Sequence, residues 1–233
     1  MGGLGYKEVL PVYEYVKNTE SSIYRSACAR ILALTSHKLK VDHNISSRSR
    51  IVGSGARNMI TRDGNGPYDL DYNLEILKAP EDIMHNPKKL KEVVRKCLND
   101  AVHGTWFSDS KDSTSVLTCI LHFEDRSKVK FSFDVAIVKR NDDGTLMRMI
   151  HNKTLYNIDS SGQYKWDAIQ DSDDLYKKTN CIKAKGKWQL VRDKYLYLKN
   201  LYLERQDNSH PSFIVYVEAV NEIYYKITGG EQK

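Results

Sequence analysis

Helical spacing of the hydrophobic residues predicts helix over much of the first forty residues. Apolar side chains recur there every three or four positions, at Val9, Val12, Tyr13, Val16, Ile23, Tyr24, Ala27, Ile31, Leu32 and Leu34. The polar stretch 44–50 is predicted as a loop. Asn86 and Pro87 then indicate the start of a second helix, from Lys88 to about His103.

Alternating polar and apolar residues predict three strands in the middle of the chain. They cover 69–77 (DLDYNLEIL), 115–123 (SVLTCILHF) and 129–138 (VKFSFDVAIV). The link between the last two, 124–128, is short enough for a hairpin. Segments 147–152 and 163–166 are predicted as short strands or extended loops.

The pattern becomes mostly helical again after residue 171, with amphipathic helices predicted over 188–203 and 212–227. We therefore predict an α+β fold, in which a mixed sheet flanked by helices is followed by a C-terminal helical domain. The first domain, with its N-terminal helix, is placed at 1–155, and the mostly helical domain at 156–233.

Composition excludes several classes of protein. The chain has 233 residues, 40% of them hydrophobic and 28% charged, which is typical of a folded globular protein rather than a disordered one. It has neither an apolar run of the roughly 18 residues that a membrane span needs nor the apolar segment of a secretory signal. Its four cysteines form no C-x-x-C pair, so we expect free thiols in a reducing cytoplasm.

Positive charge is concentrated in one segment. Between Asp174 and Arg205 the chain carries nine Lys or Arg residues and only three acidic ones. This excess, 9 − 3 = +6, equals the net charge of the whole chain. Such a segment indicates either a polyanionic partner, such as a nucleoside triphosphate or RNA, or a solvated helical face.

Three carboxylates have an unusual context. Asp69 and Asp71 lie two apart on a predicted strand, so their side chains share one face, and Asp134 lies within a strand of apolar residues. Acids that share a face repel one another unless a cation lies between them, and hard divalent ions prefer carboxylate oxygens. If the two strands are neighbours, the three groups converge on a site for two metal ions, the arrangement used in phosphoryl and nucleotidyl transfer.

A glycine-containing turn precedes the first of these strands. Gly53 and Ser54 directly follow the short apolar pair Ile51-Val52. A glycine there allows backbone N–H groups to approach phosphate oxygens, the serine hydroxyl can donate to the same anion, and Arg57 lies within reach.

The order Val52-Gly53-Ser54, then Tyr68-Asp69-Leu70-Asp71-Tyr72, then Phe133-Asp134-Val135 resembles the DNA-polymerase-beta-like nucleotidyltransferase superfamily. The resemblance implies that Asp69, Asp71 and Asp134 are catalytic and bind two Mg²⁺ (or Mn²⁺) ions, while Gly53 and Ser54 hold the triphosphate. Fourteen residues, 55–68, separate Ser54 from Asp69, slightly more than is usual for the family, and the TRDGNGP turn at 61–67 has the features of an insertion.

A shorter resemblance links the C-terminal helices to the branch of oligoadenylate-synthase-like and cyclic-nucleotide-synthase-like proteins. It rests on Val191-Arg192, Tyr197-Leu198-Lys199 and Pro211-Ser212-Phe213. It implies that Lys199 contacts the triphosphate and that Ser212 lies near the nucleotide. A solvated helix face is the alternative for such a lysine.

These resemblances imply an ATP-binding, magnesium-dependent transferase that moves a nucleoside monophosphate from an NTP, expected to be ATP, to a hydroxyl and releases pyrophosphate. The acceptor is left open between a nucleotide, an RNA end, a small molecule and a protein side chain. One rival hypothesis is a non-catalytic nucleotide- or RNA-binding module on the same fold, and another is a phosphohydrolase. No membrane partner is expected.

Overall fold

The computed structural model describes residues 12–123, 128–153, 163–169, 173–207 and 209–230. These residues form two compact units. The sheet unit comprises Val16–Ile60 and Pro67–Gln170, and the helical unit comprises the described residues up to Tyr15, those of Thr61–Gly66, and those after Asp171. The predicted domains, 1–155 and 156–233, stay a prediction.

The sheet unit is built on seven strands. They are β2 (Ser46–Ile51), β4 (Tyr68–Lys78), β5 (Lys111–Asp112), β6 (Leu117–His122), β7 (Val129–Arg140), β8 (Leu146–His151) and β9 (Tyr164–Ala168). The strand order is β2-β4-β7-β6-β5, and β8 pairs with both β7 and β9. Among the described strands of this sheet, β4 and β7 are the one parallel pair, and the other pairs are antiparallel. The predicted mixed sheet is confirmed.

Helices cover one face of this sheet. They are α1 (Asn18–His43) and α4 (Pro87–Val102), accompanied by the short helices α2 (Gly53–Arg57) and α3 (Glu81–Met84). Asn86 caps α4 by accepting a hydrogen bond from the Lys89 backbone N–H, and Pro87 occupies its first turn. Burial of apolar side chains from α1, α4 and the sheet in one cluster holds these layers together, with Leu32, Leu98, Leu70, Phe131 and Phe133 fully buried.

The helical unit contains α5 (Asp173–Ala184), α6 (Trp188–Glu204) and α7 (Ser212–Thr228), together with the strands β1 (Tyr13–Tyr15) and β3 (Thr61–Asp63). The two C-terminal amphipathic helices are therefore confirmed. The strand β3 belongs to the TRDGNGP segment and pairs antiparallel with β1. The segment that lengthens the spacing between Ser54 and Asp69 thus packs with the helical unit.

Two local predictions are wrong. The residues predicted to begin the first helix include Tyr13–Tyr15, which form β1, where the Tyr13 N–H donates to Asn200 Oδ1 at 2.6 Å. The predicted loop 44–50 contains β2, an edge strand paired with β4. Residues 1–11 of the predicted helix and residues 124–127 of the predicted hairpin link lie outside the described residues.

Candidate active site

The structure brings together the three carboxylates that the sequence singled out. Asp71 on β4 is the register partner of Asp134 on β7, and Asp69 lies two residues earlier on β4. One carboxylate oxygen from each residue lies within 4.8 Å of the others. Their roles in binding or catalysis stay predictions.

Strand geometry explains the convergence. Because side chains alternate along a strand, Leu70 and Leu74 point into the core while Asp69 and Asp71 point to the opposite face. On β7 the same alternation buries Phe133 and places Asp134 on the face of the acids. The parallel pairing of β4 with β7 then sets the acids side by side.

The electrostatics of this cluster show negative charge that is incompletely compensated. Burial, reinforced by the nearby charges of Asp69 and Asp134, raises the pKa of Asp71 to about 6, although the guanidinium groups of Arg148 and Arg57 oppose the rise. Asp71 therefore holds its proton more tightly than an ordinary aspartate.

Asp134 is also perturbed. Burial raises its pKa, a hydrogen bond from Thr118 lowers it, and the charge of Asp69 raises it. The Thr118 hydroxyl on β6 donates to Asp134 Oδ1 at 2.5 Å. This bond fixes the carboxylate and leaves its other oxygen available to a ligand.

The donor set fits a hard divalent cation. Three carboxylates offer oxygen ligands at close range, which suits Mg²⁺ or Mn²⁺. Burial is the main cause of the upward pKa shifts of Asp71 and Asp134, and the neighbouring carboxylates add to both shifts. A cation bound between the carboxylates would offset that repulsion. The residues present therefore fit the metal that the sequence resemblance implies.

The glycine turn lies against these acids. Gly53 has a φ of +61°, a left-handed conformation that favours glycine, and a Cβ atom there would overlap Asp71 Oδ2. The preceding Val52 N–H donates to the Asp71 carbonyl at 2.9 Å. Gly53 and Ser54 form the first turn of α2, and Arg57 ends it. A side chain at position 53 would thus disturb both the turn and a carboxylate.

The sequence did not single out three residues that support or adjoin this site. They are Thr118, which binds Asp134, Arg148, whose charge acts on Asp71, and Arg25 of α1, which donates to the Gly55 carbonyl at 2.9 Å. Each acts across a long separation in sequence. The apolar alternation of β6, which places Thr118 on the acid-bearing face, was the one available signal.

The two predicted nucleotide contacts in the C-terminal helices lie together in the helical unit. Lys199 Nζ on α6 donates to Ser212 Oγ at the start of α7, 3.2 Å away. The same ammonium lies 4.1 Å from the centre of the Tyr13 ring. Their contact with a nucleotide stays a prediction.

Comparison with protein-family models gives no match, and comparison with curated protein sequences gives none either. Several solved structures share the fold. The Bradyrhizobium diazoefficiens CD-NTase CdnG in complex with GTP is 12% identical, with a TM-score of 0.51 over 86% of this chain and 65% of its own. The Vibrio cholerae DncV cyclic AMP-GMP synthase with the linear intermediate pppA(3′,5′)pG is 11% identical, with a TM-score of 0.53 over 82% of this chain and 61% of its own.

A third similar structure is that of E. coli MS115-1 CdnC with ATP, which is 18% identical, with a TM-score of 0.50 over 89% of this chain and 62% of its own. This chain thus spans less than two thirds of the length of each of these three proteins. Within the part of the chain that the structure describes, no helix is long and apolar enough to cross a membrane. A cytoplasmic location stays a prediction. The chain has the fold of the DNA-polymerase-beta-like nucleotidyltransferases, as found in the cyclic-nucleotide synthases, and the resemblance seen in its sequence is confirmed for the fold.

Proposed function

We propose that this protein is a metal-dependent nucleotidyltransferase, which moves a nucleoside monophosphate from an NTP to a hydroxyl acceptor and releases pyrophosphate. The observation that carries this proposal is the meeting of Asp69, Asp71 and Asp134 within 4.8 Å on two adjacent strands. Asp71 and Asp134 are half-buried beside the exposed Asp69, and like charges this close repel one another unless a cation lies between them, so the cluster is explained best as a metal site.

Each carboxylate has its own part in this proposal. Asp69 and Asp71 would hold both divalent ions, and Asp134 would hold one of them and orient the acceptor hydroxyl. Bound ions would neutralise the charge that develops on the transferred phosphoryl group. Asp134 is suited to orientation because Thr118 fixes one of its oxygens. The attacking hydroxyl oxygen forms a bond to the α-phosphorus as the bond to the pyrophosphate oxygen breaks, and the hydroxyl proton leaves to a nearby base or water.

The remaining parts of the site position the triphosphate. Gly53 and Ser54 would present backbone and hydroxyl donors to it, because the positive φ at Gly53 turns the chain beside Asp71. Arg57, whose charge already acts on Asp71, would add a cation. For Lys199 and Ser212, contact with the nucleotide is implied by the sequence resemblance alone. This division of roles needs no covalent intermediate, since positioning and electrostatics supply the rate.

One of the similar structures is named as a cyclic AMP-GMP synthase and holds a linear dinucleotide intermediate, so a second nucleotide is the first acceptor to test. An RNA end, a small-molecule hydroxyl and a protein side chain follow it.

The test is incubation of the full chain with each α-³²P-labelled NTP and Mg²⁺ or Mn²⁺, with label transfer and pyrophosphate measured together. We expect transferred label and pyrophosphate to appear in equal amounts, and both to be absent with Asp69→Ala and with Asp134→Ala. The matched control is Asp142→Ala, since Asp142 is an exposed residue of a turn outside the cluster. Release of inorganic phosphate would instead support a phosphohydrolase, and tight NTP binding without turnover would support a non-catalytic module.

A further inference from the structure

One arginine of the sheet unit shares a face with the carboxylate cluster and comes from outside the sequence motif. Arg148 lies on β8, directly opposite Val138 of β7. Directly opposed residues of an antiparallel pair point to the same side of the sheet. Val138 lies four residues after Asp134, and an even separation along a strand keeps both on one face. Arg148 therefore belongs to the face that bears the acids.

The surroundings of Arg148 leave its guanidinium available to a ligand. Its side chain is half-buried, and among the described residues its buried Nε has no hydrogen-bond partner. Asp167, the residue opposite it on β9, pairs with Lys165 at 2.8 Å instead. A half-buried guanidinium with an unsatisfied donor is costly to keep, and a ligand that accepts its hydrogen bonds would remove that cost.

The charge of Arg148 has opposite effects on the two ligands that the proposed function requires. The positive charge of its guanidinium favours the ionised form of Asp71, a member of the cluster. It therefore repels a divalent cation that arrives alone at those carboxylates. It attracts a triphosphate, which carries roughly four negative charges, when that cation arrives with it.

On this basis, and resting on the proposed function, we propose that Arg148 couples metal binding to nucleotide binding: it weakens the site for free divalent cations and strengthens it for the metal–nucleotide complex. Arg148 is then a positioning residue that favours entry of the two ligands together. Arg57 differs from it because Arg57 belongs to the turn that is predicted to hold the triphosphate.

The test compares two affinities in the full chain. Free Mn²⁺ is measured by electron paramagnetic resonance during a titration with MnCl₂ alone. The titration is then repeated with the unreactive α,β-methylene analogue of ATP or of GTP. The variants are Arg148→Met, which keeps the length of the stem without the charge, and Arg148→Lys. Arg140→Met is the matched control, because Arg140 lies on the neighbouring strand and pairs with Glu75 at 3.2 Å.

For Arg148→Met we expect Mn²⁺ alone to bind about threefold more tightly and the metal–nucleotide complex about tenfold more weakly, the order of effect of one charge in a partly solvated cleft. Arg148→Lys should recover most of the wild-type coupling, and Arg140→Met should resemble wild type. If Arg148 had a merely structural role, Arg148→Met would weaken binding of Mn²⁺ and of the metal–nucleotide complex together. That result, or an unchanged affinity for Mn²⁺ or for the complex, would overturn this inference and leave the proposed function standing. A wild-type chain that binds neither Mn²⁺ nor nucleotide would contradict the proposed function and the inference with it.

Discussion

Replacing Asp71 with asparagine should stabilise the metal-free protein, although it removes a group proposed to be essential. The pKa of Asp71 is about 6, against an ordinary value of 3.8. At about 1.4 kcal/mol for each pH unit, ionising it in the folded state costs up to about 3 kcal/mol. Because Asp71 is only half-buried, solvent screening reduces this cost to about 1–2 kcal/mol. For a chain of this size, that predicts a rise in Tm of roughly 2–8 °C at pH 7.5.

The pH dependence gives the same prediction a second measurement. A group whose folded-state pKa is raised stabilises the folded state below its unfolded pKa and loses that contribution as the pH rises through the folded value. The difference in Tm between wild type and Asp71→Asn should therefore be largest above pH 7 and shrink between about pH 6 and 4.

Thermal unfolding in a metal-chelating buffer measures the stability of the metal-free protein at each pH. The same measurement with added MgCl₂ then tests whether Asp71 is needed for the response to the metal. Mg²⁺ should raise the Tm of wild type and leave Asp71→Asn almost unchanged, because ligands that bind only the folded state stabilise it. Asp142→Asn, an exposed control, should behave as wild type. A lower Tm for metal-free Asp71→Asn at pH 7.5 would refute the reasoning, since it would mean that the ionised carboxylate is compensated within the fold.

Three further predictions concern other residues with a proposed role. Thr118→Val should lower the turnover number about tenfold and shift the acidic limb of the pH–rate profile to higher pH, because the donor that lowers the pKa of Asp134 is lost. Thr118→Ser should keep the wild-type turnover number and profile. A wild-type profile for Thr118→Val would contradict this role of Thr118. Gly53→Ala should weaken nucleotide binding about tenfold or more, as measured by calorimetry. The control Gly144→Ala, at a position with positive φ but open space, should leave nucleotide binding unchanged and lower the free energy of unfolding by about 1 kcal/mol. Lys199→Met should raise the KM for the NTP about tenfold with little change in the turnover number. Lys194→Met, on the same helix, should leave the KM unchanged. Equal effects of the two substitutions would mean that Lys199 acts only through the general surface charge of the helix.

The acidic cluster could be predicted from the sequence because it depends on local rules. Asp69 and Asp71 share a face through the period of two, and Asp134 stands out within an apolar strand. The glycine turn is equally local. Only the pairing of β4 with β7 had to be assumed, and the structure places Asp71 beside Asp134.

What the sequence could not supply depends on pairing between distant strands. Thr118 and Arg148 become neighbours of the site only through the register of β6 and β8 with β7. The strand β2 was missed because it is an edge strand with exposed arginines and lacks the apolar alternation of a buried strand. The strand β1 was taken for helix because three residues carry no reliable period, and its pairing with β3 spans some fifty residues.

The most direct test of the central claim is the location of the metal ions themselves. Crystals of the full chain grown with MnCl₂ and an α,β-methylene NTP would show Mn²⁺ by anomalous diffraction. We expect two Mn²⁺ peaks in contact with Asp69 and Asp71, one of them also touching Asp134, and both bound to the triphosphate. Bound nucleotide with no Mn²⁺ at these carboxylates, or Mn²⁺ held elsewhere in the chain, would contradict the account.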